Sequence, residues 1–249
     1  QNLTGSAYHD TLTGDASDNT LRGGAGDDQI TGGAGTDKLY GDAGSDAMSD
    51  DLAGTAELYG GDGDDSITFT AYDANKDIIN GGDGSDTLIS AYAGSGRSTV
   101  DLHSGTISFP SGSANLISIE NYTASGSNTA YVYAGNGDNI ITGGSTQNDY
   151  VDYRNAVAGV NANLSSGVVT GGSGNDTLSG VEHIFGSNWS DAIIGTSGNN
   201  TIRSLYGADY IDGGDGTDTW QLDWGGASTT ASILTATQNA AMGIIMTGD

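Results

Sequence analysis

A nine-residue period limits what this chain can fold into more than any other feature does. Its cleanest copies are Gly23-Gly24-Ala25-Gly26-Asp27-Asp28-Gln29-Ile30-Thr31 and Gly32-Gly33-Ala34-Gly35-Thr36-Asp37-Lys38-Leu39-Tyr40. Others run from Gly81 to Ile89, from Gly171 to Ser179 and from Gly213 to Gln221. The shared pattern is Gly-Gly-x-Gly-x-Asp-x-apolar-x. A short fixed period marks a stacked architecture, because one unit alone cannot bury its apolar residue. Glycine at positions one, two and four permits positive φ and bares carbonyl oxygens. Position six carries a carboxylate. Position eight carries an apolar side chain that points inward.

Set in register, copies start at Gly5, Gly14, Gly23, Gly32 and Gly41 without a gap. A degenerate copy spans Asp51 to Tyr59 and a good one Gly60 to Thr68. Phe69 to Ala71 is an insertion. Tyr72 to Asn80 is degenerate again and precedes Gly81 to Ile89. Residues 1–89 therefore form a first array. In 90–133 the glycine grammar stops, and alternation of Val100 and Leu102, Ile107 and Phe109, Ile117 and Ile119 predicts ordinary strands. In 134–170 a weak two-copy patch (Ala134 to Val151) precedes a strand-like stretch with Val157, Val160 and Leu164. A second array covers 171–221, with Gly180 to Phe185 as a shortened connecting coil. Residues 222–249 lack the grammar and read as a strand segment cut short. Gly81 to Thr87 recurs as Gly213 to Thr219, 132 residues on, and the same offset sets Leu102 against Leu234. Asn2-Leu3-Thr4 matches the last three positions of a repeat, so the chain is expected to be a fragment of a larger protein.

Composition narrows the chemistry. Of 249 residues, 32 are acidic and six basic, for a net charge of -26. Nucleic acid needs Lys and Arg against its phosphates, so it is excluded as a partner. Anionic membrane surfaces are excluded for the same reason, and no apolar run approaches the roughly 18 residues of a membrane span. The acids are periodic and flanked by apolar positions, which a solvating disordered tail does not need. With no Cys, neither a disulfide nor a thiolate metal site is available.

The repeat resembles the nonapeptide of RTX (haemolysin-type) calcium-binding proteins, and the resemblance covers the two arrays and the isolated copies. It implies an all-β fold, a right-handed parallel β-roll solenoid with two calcium-binding arrays and non-repeat strand segments between them. Two nonapeptides make one winding in that family, so loops 18 residues apart stack and cage a cation. Asp10, Asp28 and Asp46 then share one edge, Asn19 and Asp37 the other; Asp191 stacks with Asp209 and Asn200 with Asp218. The implied carboxylate ligands are Asp10, Asp28, Asp37, Asp46, Asp65, Asp77, Asp86, Asp176, Asp191, Asp209 and Asp218, with Asp62, Asp83 and Asp215 at position three. Carbonyl ligands come from Gly23, Gly26, Gly32, Gly35, Gly44, Gly60, Gly63, Gly81, Gly84, Gly171, Gly174, Gly213 and Gly216. Asn19, Asn139, Asn148 or Asn200 at position six keeps an oxygen but loses the charge, so those sites are weaker. Calcium takes 6–8 oxygens in a flexible shell, whereas magnesium demands a strict octahedron. About five to ten calcium ions follow from this stacking rule. Inward ladders are expected at Leu12, Ile30 and Met48; Leu3, Leu21 and Leu39; Ile193 and Ile211; Ile202 and Trp220.

No nucleophile elbow, zinc-protease helix or phosphate loop is present. His9, His103 and His183 are far apart and read as surface residues, so no enzyme activity is expected. Trp189, Tyr206, Tyr210, Trp220 and Trp224 cluster in the second array, as stacked roll positions or as a sugar platform. The expected role is a calcium-binding structural or adhesive segment of an exported bacterial surface protein, of the adhesin or surface-layer kind. The alternatives are an accessory domain of a secreted protease, lipase or polysaccharide-acting enzyme, or a glycan-binding module. Type I secretion to the cell surface or medium, with folding on calcium after export, is what the resemblance implies. Candidate partners are calcium, a cell-surface glycan or lipopolysaccharide, and another copy through stacked repeats.

Overall fold

The computed structural model describes residues 1–51, 54–69, 76–91, 97–110, 112–126, 129–146, 148–223 and 243–247. Every regular element among them is a β-strand. The chain divides into two compact units, Gln1–Asn128 and Thr129–Asp249.

In the first unit, alternate nonapeptides feed two parallel sheets. One contains, as neighbours, Asn2–Thr4, Thr20–Ala25, Lys38–Ala43, Glu57–Asp62 and Lys76–Asp83. The other contains Thr11–Thr13, Gln29–Thr31, Ala47–Asp50, Ser66–Phe69, Thr87–Ser90 and Asn121–Ala124. These strands form where the apolar position eight sits between two small or polar residues, the period-two pattern of a half-buried strand. Register carries Leu3 onto Leu21, Leu39, Leu58 and Ile79. On the other sheet it carries Leu12 onto Ile30, Met48, Ile67, Leu88 and Tyr122. From Leu21 and Ile30 onward these side chains are fully buried or nearly so. The Tyr40 and Tyr59 rings stack on the outer side, 5.2 Å apart, with the Arg22 guanidinium over Tyr40.

The predicted interval of plain strands is an antiparallel excursion. Arg97–Asp101 pairs with Thr106–Phe109, which pairs with Gly112–Ile117, and that last strand rejoins Lys76–Asp83 in parallel. Its parity differs from the sequence expectation. Leu116 pairs with Ile79 and extends the inward ladder, so Ile117 is turned to solvent and Leu102 sits in the turn. Ile119, in contrast, is buried.

The second unit repeats the plan. One sheet runs through Thr129–Tyr133, Tyr150–Asp152, His183–Phe185, Thr201–Arg203, Thr219–Asp223 and Gly243–Thr247. Its ladder is Val132, Val151, Ile184, Ile202 and Trp220. The other runs through Ile140–Thr142, Gly174–Ser179, Val168–Gly171, Val160–Asn163, Ala192–Ile194 and Tyr210–Asp212. Here Ala162, Ile193 and Ile211 align.

The Gly171 copy departs from a roll loop. Val168–Gly171 and Gly174–Ser179 pair antiparallel with Gly171 opposite Gly174, so Gly172 and Ser173 form a two-residue hairpin turn. Positive φ falls on Gly171 and Gly174, the residues that flank this turn. Val157, expected in a strand, lies outside one and is 72% exposed. The proposed 132-residue correspondence of Leu102 with Leu234 falls on a residue outside the described ones. A shorter offset is evident instead. Gly105 and Gly167 share φ 72, and each receives a bond from the next strand, Leu116 N–H to Gly105 O and Leu178 N–H to Gly167 O.

Ile67 is 0% exposed in the middle of its ladder. Ile67→Ala should destabilise the folded, calcium-loaded unit by about 2–5 kcal/mol, measured by chemical denaturation at saturating calcium.

Candidate metal-binding loops

Each loop is organised around its position-six side chain. In the pairs that follow, Oδ1 of the later residue accepts the backbone N–H of the position-six residue one winding earlier. Asp10 N–H donates to Asp28 Oδ1 at 2.8 Å, Asp28 N–H to Asp46 at 2.7 Å, Asp46 N–H to Asp65 at 2.8 Å and Asp65 N–H to Asp86 at 2.9 Å. On the opposite edge Asn19 N–H donates to Asp37 and Ala56 N–H to Asp77. In the second unit Asp191 N–H donates to Asp209, Asn200 N–H to Asp218 and Asn139 N–H to Asp176. The stacking pairs read from the sequence are thus neighbours in space.

A reciprocal ladder at position five was not anticipated. Asp27 Oδ1 accepts Ser45 N–H, Asp18 accepts Thr36 N–H, Asp64 accepts Ser85 N–H and Asn199 accepts Thr217 N–H, each one winding later. The signal was available, since Asp or Asn recurs at that variable position.

At position one of the regular loops glycine is required because oxygens fill the space where a Cβ would project. A Cβ on Gly23 would lie 2.2 Å from Asp28 Oδ2 and 2.7 Å from the Gly41 carbonyl oxygen. On Gly60 it would meet Asp65 Oδ2 at 2.0 Å and the Gly81 carbonyl at 2.3 Å. The carboxylate and the next winding's carbonyl therefore converge on one spot.

The second carboxylate oxygen sorts the loops into two kinds. In Asp28, Asp37, Asp46, Asp65 and Asp86, Oδ2 is buried and has no hydrogen-bond partner. The position-two residues of these loops, Gly24, Gly33, Asp42, Gly61 and Gly82, all have positive φ, and no bond from their N–H to the loop's own carboxylate forms. A buried carboxylate oxygen left bare costs several kcal/mol, so a cation is the natural complement. In the other kind the loop answers its own acid. Ser6 N–H and Oγ donate to Asp10 Oδ2, at 2.6 and 2.8 Å. Asp15 N–H donates to Asn19, Gly135 N–H to Asn139, Gly144 N–H to Asp149, Ser187 N–H to Asp191 and Thr196 N–H to Asn200. Ser173 Oγ bonds Asp176, and the Ser204 side chain bonds Asp209. The Gly213 loop has the open form, with positive φ at Gly214 and Gly216 and the Gly214 N–H given to Asp212.

Other sequence candidates are placed as follows. Asp62, Asp83 and Asp215 at position three are exposed, and the Asp62 and Asp83 carbonyls bond to Gly44 and Gly63 N–H. Gly26, Gly35, Gly44, Gly63, Gly84 and Gly216 at position four have positive φ. The Asp77 loop, residues 72–75, lies outside the described residues. Asn148 is exposed; Asp149, one residue on, takes the position-six role by accepting Ala130 N–H at 2.6 Å. At the shortened corners Glu120 and Glu182 replace Asp, accepting Asp86 and Asp149 N–H. His183 is buried, not on the surface, because the shortened corner puts it in register with Tyr150; its Nδ1 accepts Thr201 N–H. Trp220 is buried inward, Trp189 is 55% exposed and Trp224 lies outside the described residues. Among the described residues no three His, Cys, Asp or Glu side chains converge as a metal cluster. The available oxygen sets thus mix one or two carboxylates with peptide carbonyls, donors that suit calcium.

A family model for the RTX calcium-binding nonapeptide repeat matches residues 2–28, 13–48, 52–69, 73–100, 125–151, 166–180 and 185–219. The chain belongs to this family. RTX nonapeptide repeats bind calcium and typify secreted proteins exported by type I systems. The RTX repeat is a structural, calcium-binding unit and not a catalytic one. Comparison with curated proteins gave no match. No helix among the described residues is long and apolar enough to cross a membrane.

Burial pushes the Asp46 carboxyl up to about 6, Asp65 up to about 7 and Asp209 up to about 6. It also raises Asp37, Asp86, Asp176, Asp191 and Asp218. The folded RTX arrays without metal hold these protons more tightly than the unfolded chain does. Their contribution is therefore full below about pH 4 and is lost as pH rises through about 6–7. Calcium must displace those protons. Lowering pH from 8 to 6 should weaken apparent calcium affinity and raise the β content of chelator-treated protein, as followed by circular dichroism.

Proposed function

We propose that this RTX domain is a structural or adhesive segment of an exported bacterial surface protein, folded by calcium once outside the cell. The observation that carries the metal-linked part is the set of buried, unanswered oxygens at Asp28, Asp37, Asp46, Asp65 and Asp86. Calcium held there would be gathered by those carboxylates and by carbonyls of stacked glycines such as Gly41, Gly60 and Gly81. When bound it neutralises adjacent acids and joins consecutive windings, so its binding free energy adds to folding. Extracellular modules bind calcium in the 10⁻⁴–10⁻³ M range, far above cytosolic levels, which would leave the chain open before export.

Loops that answer their own position-six side chain, those of Asp10, Asn19, Asn139, Asp149, Asp176, Asp191, Asn200 and Asp209, hold their corners without an ion under this reading. Calcium is then concentrated in the Gly23 to Asp86 stretch, with the Gly213 loop as its counterpart in the second unit. The surface-protein role is supported by the antiparallel excursions between repeat stretches and by the absence of a catalytic motif in the sequence. Its test is a comparison of β content in excess chelator and in millimolar calcium. A rise with calcium is expected, and equal spectra would discard the reading. Within a chain that folds on calcium, Asp65→Asn should lower the number of ions bound at limiting calcium by about one, whereas Asp10→Asn should leave it unchanged, both read by equilibrium dialysis.

A further inference from the structure

One winding breaks the motif and repairs it with a different residue. The repeat between Asp51 and Tyr59 has Ala56 at position six, so it brings no carboxylate there. Register shows one extra residue at this winding. Leu39 pairs with Leu58 and Met48 with Ile67, a step of 19, where the preceding steps, Leu21 to Leu39 and Ile30 to Met48, are 18. The place stacked on Gly32, where the next winding's position-one glycine would sit, is taken by Asp50.

In the neighbouring loops, the space beside the position-one glycine is met by the loop's own Oδ2 and by the carbonyl of the next winding's glycine. At Gly32 the carbonyl is replaced by a side chain. A Cβ there would lie 2.1 Å from Asp50 Oδ2 and 2.7 Å from Asp37 Oδ2. Asp50 is 2% exposed and Asp37 is 0% exposed. Asp37 Oδ1 is used by Asn19 N–H, while Asp37 Oδ2, aimed at this spot, has no donor. The Asp50 carboxyl lies within hydrogen-bonding reach of it. Two ionised carboxylates are both acceptors, so neither can satisfy the other. A cation between them, or a shared proton, must do so.

We propose that Asp50 and Asp37 form a two-carboxylate calcium site in the Gly32 loop, in which a side chain outside the nonapeptide motif replaces a motif carbonyl and compensates for Ala56. The inference rests on the reading of the open loops as calcium sites. Two charges face the ion here, against one at the open loops of Asp28, Asp46 and Asp65, and affinity rises with the charge of the ligand set. This loop is therefore the last of the open loops to lose its ion as free calcium falls. A divalent ion also cancels both charges, which a single shared proton does not.

The test is calcium counting on the whole chain by equilibrium dialysis across a range of free calcium. Asp50→Asn keeps the shape of the side chain and removes its charge. The expected result is loss of the tightest-binding ion, with the remaining ions and the calcium-loaded circular dichroism unchanged. Asp101→Asn, in a turn of the antiparallel excursion where an amide oxygen can still accept the His103 and Ser104 N–H groups, should change neither. If Asp50→Asn weakens folding, the double variant Asp50→Asn, Ala56→Asp restores the motif carboxylate and should regain an ion. An unaltered ion count and unaltered tightest affinity in Asp50→Asn would overturn the proposal and point to a shared proton. Failure of the unsubstituted chain to bind calcium would instead sink the underlying reading of the open loops.

Discussion

The structure depends on one recurring interaction: a position-six carboxylate that reaches one winding back to accept a backbone N–H. Bonds of this kind link Asp10 through Asp86 along one edge of the first unit. Each ties a side chain to main chain, so it holds windings in register without needing any particular residue in the preceding loop. It also fixes the orientation of the carboxylate. With Oδ1 committed, Oδ2 must face the space beside the position-one glycine, where the next winding's carbonyl also points. The metal site follows from the stacking bond as a geometric consequence.

That consequence can be resolved in two ways, and this chain uses both. Where position two turns its N–H toward the acid, as at Ser6, Ser187 and Thr196, the loop is complete in itself. In the first unit, where position two has positive φ, the N–H is withdrawn and a bare buried oxygen remains. Glycine reaches that conformation freely, and Asp42 reaches it at φ 78, a region that Asp tolerates better than most residues. In the first unit position two therefore acts as the selector between a corner closed by protein donors and one that calls for an ion. In the first unit the open corners dominate, and burial, with repulsion from Asp28, Asp27 and Asp42 at Asp46 and from Asp46, Asp86 and Asp64 at Asp65, raises their carboxyl pKa values.

The hydrophobic core is thin by comparison. It consists of narrow ladders of Leu, Ile, Val and a few aromatics, with one to three buried apolar side chains per strand. The larger side chains appear where the repeat changes character: Tyr122 after the first excursion and Trp220 in the last array, whose indole N–H reaches Ser204 Oγ at 3.3 Å. The excursions extend the sheets by antiparallel pairing and then return to the parallel scheme through a three-residue corner carrying Glu120 or Glu182. At those corners the glutamates accept the Asp86 and Asp149 N–H groups through side chains one methylene longer than aspartate.

The nine-residue period, taken with the two-repeat winding that the RTX resemblance implies, determined the parallel stacking, the inward ladders from Leu3 to Leu39, Leu12 to Met48, Ile193 to Ile211 and Ile202 to Trp220, and the alignment of position-six side chains, because these follow from counting residues along a regular coil. Tertiary structure alone decided the rest. Whether Asn148 or Asp149 meets Ala130, whether Ile117 or Leu116 faces inward, whether Gly171 opens a loop or a hairpin, and whether Asp50 stands in for Ala56 all depend on insertions that shift one winding against the next. A periodic sequence does not record such shifts locally: the partner of each residue is set by the length of chain between windings, and in the first unit the fate of each position-six Oδ2 follows the backbone angle of the residue four positions earlier.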